Sequence, residues 1–199
     1  MSIAEKLVTV AQNQQKVFEA GKKSEYDRFW DEFQKDLTLS YMFAGKGWTD
    51  ETYNPRKEIK TTNGYGANYV FAYSNITDTK VNIDFSNLDV YVSNLFYDAR
   101  NLKTIKKLIV GAKTPYTNCF INCTALENVT FEGIIGRSIN FSYSPLLSKE
   151  SIENIVECLS ESETSQTLTL SQTAVDNAFT TAEWNTLIAG KTNWTFSLI

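Results

Sequence analysis

Histidine is absent from this 199-residue chain. Without imidazole there is no Ser-His-Asp or Cys-His nucleophile pair, and none of the histidine-based metal sites that most catalytic zinc enzymes use. Cysteine is scarce. Cys119, Cys123 and Cys158 make three, an odd number with no disulfide framework in it, and all three are expected to be reduced and buried. The step from Cys119 to Cys123 is one that two zinc ligands on a helix use, yet one further cysteine leaves too few partners to close a tetrahedral site, so no metal is expected. No stretch approaches eighteen apolar residues, and the opening MSIAEKLVTVAQNQQ has neither the basic start nor the apolar run of a signal peptide. The expectation is no membrane insertion and no general secretion. Basic blocks are missing too. The formal charge is −4, and Lys103, Lys106, Lys107 and Lys113 read as a solvated rim rather than a phosphate track, so nucleic acid is not an expected partner. Gly45-Lys46-Gly47 makes no phosphate loop, because Lys46 is not followed by Ser or Thr and the dinucleotide spacing is missing, and no cofactor is expected.

What the chain does have is a hydrophobic share of 42% with 13% aromatic residues, enough for one domain with a real core plus an appendage. The aromatics recur in order. Phe120, Cys123, Leu126 and Val129 sit three apart; so do Phe96, Ala99, Leu102 and Ile105; Phe141, Ser144 and Leu147 repeat the first three positions, and Phe71, Ser74 and Ile76 give a copy one residue short. The four phenylalanines are 25, 24 and 21 residues apart, a period that points to a solenoid. Each copy places a large apolar residue, a small one and a Leu or Ile under one turn, then leads into a short β run such as 81–85, 108–110 or 129–131.

At these residues the chain resembles the BspA-like, or treponemal-type, leucine-rich repeats, whose signature is a Phe, a Cys or other small residue three later, and a Leu three beyond. Phe120, Cys123 and Leu126 match it best, and the likeness extends over about Gly66 to Leu147. It implies an α/β fold: a short irregular leucine-rich-repeat solenoid preceded by an N-terminal α-helical, coiled-coil-like segment. Proteins that join a short N-terminal helix to such repeats and end in a tail like WNTLIAGKTNWTFSLI resemble those encoded by phages and prophages of gut bacteria. That likeness implies a virion protein, found in the virion or in the cytoplasm of the producing bacterial cell.

Residues 1–38 are read as the helical segment and 39–199 as the repeat domain with a helical C-terminal cap. Ser2 with Glu5 forms a capping box, and the helix it opens runs to at least Ala20. Ile3, Leu7, Val10, Gln14 and Val17 follow the 4-3 spacing of a coiled-coil seam. Leu7 at an a position with Ile3, Val10 and Val17 at d leans toward three or four strands, with Gln14 fixing register, so a homo-oligomer, a homotrimer being one form of it, is expected; the alternative is a stripe folded back on its own repeats. A second helical segment carries Tyr26, Phe29, Trp30, Phe33 and Leu37 on a face too aromatic to be left wet. Phe43 marks a degenerate first repeat. After Leu147 the pattern gives a helix from Ser148 to Ser160, a strand at 167–170, short helices at Thr173–Phe179 and Thr181–Ala189, and a final strand from Trp194, with Trp184 and Trp194 in the core.

Carboxylate pairs for a glycosidase-type enzyme exist at Asp31 with Glu32, Asp50 with Glu51, and Glu161 with Glu163, but each lies in a segment expected to be solvated. A non-enzymatic interaction module is the favoured reading. The residues expected to face outward on the repeats are Tyr73, Tyr91, Tyr97, Arg100, Tyr116 and Tyr143, since Tyr and Arg most often anchor interfaces and tyrosine also stacks on sugar rings. The expected partners are other copies of the chain, virion structural proteins, or a host-surface protein or glycan. The alternatives are a bacterial adhesion protein with no virion and a carbohydrate-active enzyme.

Overall fold

The computed structural model describes residues 40–53, 55, 58–60, 67–86 and 92–199. Among them, strands form wherever branched and aromatic residues alternate with polar ones. In β6 (Asn128–Gly133), Val129 and Phe131 point inward while Thr130 and Glu132 are exposed, the period-2 pattern of a half-buried strand. β4 (Thr104–Val110) buries Ile105, Leu108 and Val110, and an irregularity in its pairing falls between Ile105 and Leu108. With β1 (Ile59–Lys60) and β2 (Asn82–Asp84), these two strands make a sheet ordered β1-β2-β4-β6, parallel at every step. Its register aligns Ile59 with Ile83, Ile83 with Leu108, and Leu108 with Phe131, so one apolar column runs through the sheet. β3 (Val92–Ser93) and β5 (Tyr116–Thr117) pair separately as a second parallel sheet.

The turns between strands are tied by main-chain bonds from one layer to the next. Phe43 N–H donates to Val70 O at 2.7 Å, Phe71 N–H to Leu95 O at 2.8 Å, and Phe96 N–H to Cys119 O at 3.0 Å. These bonds bring the phenylalanine rings into a buried file. Ring centroids are 5.2 Å apart for Phe43 and Phe71, 5.3 Å for Phe71 and Phe96, 5.8 Å for Phe96 and Phe120, and 4.2 Å for Phe120 and Phe141, all near-parallel. Behind the file lie the small residues Ser74, Ala99, Cys123 and Ser144, and then Leu102, Leu126 and Leu147, all buried. At Gly136 an added Cβ would collide with Ala112 O, so a bare backbone is what lets these two segments touch.

The four-stranded sheet ends at β6 because a helix seals its edge. Helix α1 (Lys149–Cys158) starts at Ser148, whose Oγ accepts the Ser151 N–H at 3.3 Å, satisfying a donor the helix cannot. Ser151, Asn154 and Cys158, spaced three and four apart, fall on one helical face. Val129 N–H donates to Ser151 Oγ at 3.0 Å, Phe131 N–H donates to Asn154 Oδ1 at 2.6 Å, and Asn154 Nδ2 donates back to Phe131 O at 3.2 Å. Side chains thus take the place of a next strand. Beyond this point a third parallel sheet forms from β7 (Ile139–Phe141), β8 (Gln166–Leu170) and β9 (Trp194–Leu198). Its crossovers are α1, and then α2 (Gln172–Ala178) with α3 (Thr181–Ile188), the helical connection that parallel neighbours require. Trp194 is buried, and its Nε1 donates to Ser160 O at 2.8 Å.

This arrangement corrects the expected fold. A single leucine-rich-repeat solenoid led by a coiled coil is not what the described residues form. Their strands divide among three parallel sheets, and the helices are short, of 10, 7 and 8 residues, none coiled-coil-like. The physical reason is the docking of α1 on β6, which closes one sheet and forces the chain to begin another. Residues 1–39, with the seam Ile3, Leu7, Val10, Gln14 and Val17 and the aromatic face from Tyr26 to Leu37, lie outside the described residues.

Candidate interaction surface

Two residues before and two residues after Phe43, Phe71, Phe96 and Phe120, though not around Phe141, the backbone turns left-handed. After-and-before positions are Tyr69 and Tyr73 around Phe71, Asn94 and Asp98 around Phe96, and Asn118 and Asn122 around Phe120; around Phe43 they are Tyr41 and Gly45. Glycine, asparagine and aspartate are the residues that accept this conformation at low cost. Tyrosine is not, and a bulky side chain at positive φ is an outlier. Yet Tyr41, Tyr69 and Tyr73 hold φ of 63°, 57° and 60°, each at a cost of about 1 to 3 kcal/mol that the surrounding structure must offset.

These strained tyrosines come together on the outside. Tyr41 and Tyr69 stack with centroids 5.0 Å apart and planes 3° from parallel; Tyr73 meets Tyr97 edge-on at 5.6 Å. Tyr73 remains 42% exposed. Its hydroxyl is pushed above the ordinary tyrosine range, by partial desolvation first and then by Tyr97, Tyr69, Asp98 and Tyr41. Asp98 extends it. Its Oδ1 accepts from Arg100 Nε at 2.8 Å and from Asn122 Nδ2 at 3.1 Å, while its backbone N–H is fixed on Ile121 O at 2.9 Å. Asn101 donates to Asn75 Oδ1 at 3.2 Å, and Asn75 donates to Lys46 O at 2.8 Å, so amides of successive layers are bonded in a file of their own.

Of the six residues expected to face outward, the structure unites Tyr73, Tyr97 and Arg100 here. Tyr143 is exposed on a later turn, and Tyr91 lies outside the described residues. Tyr116 is a correction: it is only 3% exposed, because β5 aligns it with the buried Val92, and burial pushes its hydroxyl far up. Asp98 and Asn122 went unmarked in the sequence. The signal that finds them is the recurrence of Asn or Asp two residues either side of Phe96 and Phe120.

Three of the carboxylates considered for catalysis, Asp50, Glu161 and Glu163, meet polar or basic neighbours. Asp50 accepts the Thr77 N–H at 2.8 Å and the Thr77 hydroxyl at 2.5 Å. Glu163 pairs with Arg137 at 2.9 Å, and Glu161 lies 3.7 Å from Lys191. Asp31 and Glu32 are outside the described residues. Lys103 and Lys107 each face a glutamate on the next layer, Glu127 and Glu132, at 3.7 and 2.6 Å. A shallow depression of about 460 Å³ between α1 and α3 is lined by Lys149, Glu153, Phe179, Glu183 and Leu187. There Lys149 bonds Glu183 at 2.9 Å and sits over the Phe179 ring. The Glu183 carboxyl is held down to about 2, first by the Thr180 N–H in the capping box that starts α3 and then by Lys149. Cys119 and Cys123 are buried, and their thiols bond Val92 O and Phe96 O. Among the described residues no cluster of three or more His, Cys, Asp or Glu could hold a metal ion, and no helix is long and apolar enough to cross a membrane.

Compared with known proteins, the chain matches no family model, no curated protein and no solved structure.

Proposed function

We propose that this chain is a non-catalytic interaction module that engages its partner through the face formed by Tyr41, Tyr69, Tyr73, Tyr97 and Arg100. The observation that carries the reading is the left-handed backbone under Tyr41, Tyr69 and Tyr73. Neighbouring layers fill the same positions with asparagine and aspartate, which suit the backbone better, so the tyrosines answer a demand other than folding. Tyrosine and arginine on a rigid scaffold are the side chains that most often anchor recognition. The setting proposed, a phage or prophage virion protein or a protein displayed toward a host surface, rests on the likeness in sequence alone.

The test is retention of the purified chain on a pooled envelope fraction from cultured gut bacteria, measured by co-sedimentation. Tyr73→Asn removes a ring while leaving a residue that favours the same backbone, and Arg100→Gln removes a charge from an exposed side chain. Each is expected to lower retention at least tenfold with Tm preserved. Unchanged retention by both variants rejects the surface.

A further inference from the structure

Resting on that reading, we infer that the face at Tyr73, Tyr97, Asp98 and Arg100 takes a neutral carbohydrate presenting a pair of adjacent hydroxyls. Asp98 spends one carboxylate oxygen on Arg100 Nε and Asn122 Nδ2; among the described residues its Oδ2 has no hydrogen-bond partner. Arg100 spends only Nε on Asp98, and its side chain is 65% exposed, so the terminal amino groups remain available. An acceptor and a donor therefore stand side by side, both oriented by the same ion pair. One of two neighbouring sugar hydroxyls donates to Asp98 Oδ2 while the other accepts from Arg100, the complement of this arrangement. Tyr73 and Tyr97 supply an apolar body with a polar tip beside it, suited to the C–H face of a pyranose ring.

The other ligand classes fit less well. A phosphate or carboxylate group would meet Asp98, which is 20% exposed and cannot be withdrawn from the site while Asn122 and Arg100 hold it. A protein interface needs a dry apolar centre ringed by polar residues. Among the described residues the exposed aliphatic side chains, Ile134, Leu146 and Ile199, belong to later parts of the chain, whereas the groups that act on Tyr73 are the phenols of Tyr97, Tyr69 and Tyr41 and the carboxylate of Asp98. The amide file from Asn75 to Asn101 continues the polar lining on the adjoining turns.

The experiment uses the same envelope fraction in three states: untreated, oxidised with periodate and quenched with borohydride, and digested with protease. Periodate cleaves carbon–carbon bonds between adjacent hydroxyls. The expected result is at least tenfold lower retention after periodate and retention within twofold of untreated after protease. Asp98→Asn, which turns the free acceptor into a donor and keeps a residue suited to the backbone, is expected to lower retention of untreated envelopes at least tenfold with Tm unchanged. Loss after protease with retention surviving periodate overturns the carbohydrate while leaving the interaction surface standing. Wild-type retention by Asp98→Asn overturns the donor–acceptor pair, and no retention on untreated envelopes overturns both readings.

Discussion

Asn154 offers the sharpest test of how this fold terminates a sheet. Its amide makes two bonds to the backbone of Phe131, accepting at 2.6 Å and donating at 3.2 Å, and the Phe131 side chain is buried. Truncation to alanine leaves the Phe131 N–H without its partner and its carbonyl with only the weak thiol bond from Cys158 at 3.6 Å. An orphaned buried polar group costs about 1 to 3 kcal/mol, and partial access of water to Asn154 puts the expected total for Asn154→Ala near 2 kcal/mol. For a chain of this length that is a fall in Tm of about 4 to 8 °C. Asn154→Asp refines the test, because it conserves size and the acceptor but, when ionised, loses the donor and sets a carboxylate against the Phe131 carbonyl. Its deficit at pH 7 is expected to approach that of alanine and to shrink near pH 4, where a protonated carboxyl donates again. Differential scanning calorimetry at the two pH values, each referred to the parent chain, reads both effects. An alanine variant within 0.5 kcal/mol of the parent, or an aspartate variant equal to the parent at pH 7, refutes the sealing role.

Four further outcomes are expected. Leu126, fully buried behind the phenylalanine file, should cost about 2 to 5 kcal/mol on change to alanine, and a loss under 0.5 kcal/mol by chemical denaturation rejects the packing described. Ser144 Oγ is buried with no hydrogen-bond partner among the described residues, so Ser144→Ala should leave stability unchanged or raise it by about 1 kcal/mol; a drop larger than 1 kcal/mol in urea would show an unseen bond. Burial pushes the Cys119 thiol up to about 12 and raises Cys123 as well, so both should resist a thiol reagent at pH 8 in the native chain and react quickly in 6 M guanidinium, and fast native labelling would contradict their placement. Asp84 is desolvated, which raises its pKa, but bonds from Lys60 and Ser86 outweigh this and hold it below its ordinary 3.8; its contribution is therefore full above that value and fades as pH falls through the lower folded value. Asp84→Asn should flatten the acid limb of stability against pH below about 4, and an unaltered limb would assign that limb to other groups.

The parts of this structure legible in sequence are those whose signal is local. Ser148 caps a helix because its side chain reaches its own first turn, and alternation in 166–170 needs only its neighbours, so the elements after Leu147 fall within a residue or two of their expected limits. The three-residue steps from Phe96 to Leu102 and from Phe120 to Leu126 likewise mark burial. How strands group into sheets is different in kind. The chain from β6 to β7 has the same apolar spacing whether or not a sheet continues, and what decides is whether Ser151, Asn154 and Cys158 meet the edge of β6, a contact set by tertiary packing. The burial of Tyr116 is hidden in the sequence because a tyrosine in a short polar stretch looks exposed; only its alignment with Val92, 24 residues earlier, reveals the inward side. The proposed face is half legible for a similar reason. Tyr73, Tyr97 and Arg100 stand out by type, but Asp98 and Asn122 look like ordinary turn residues, which they also are. Their positive φ serves the backbone, and their side chains then organise Arg100. Tyr69 and Tyr73 take the same positions around Phe71, so Tyr73→Asn supplies a residue suited to that backbone and separates the proposed recognition from folding.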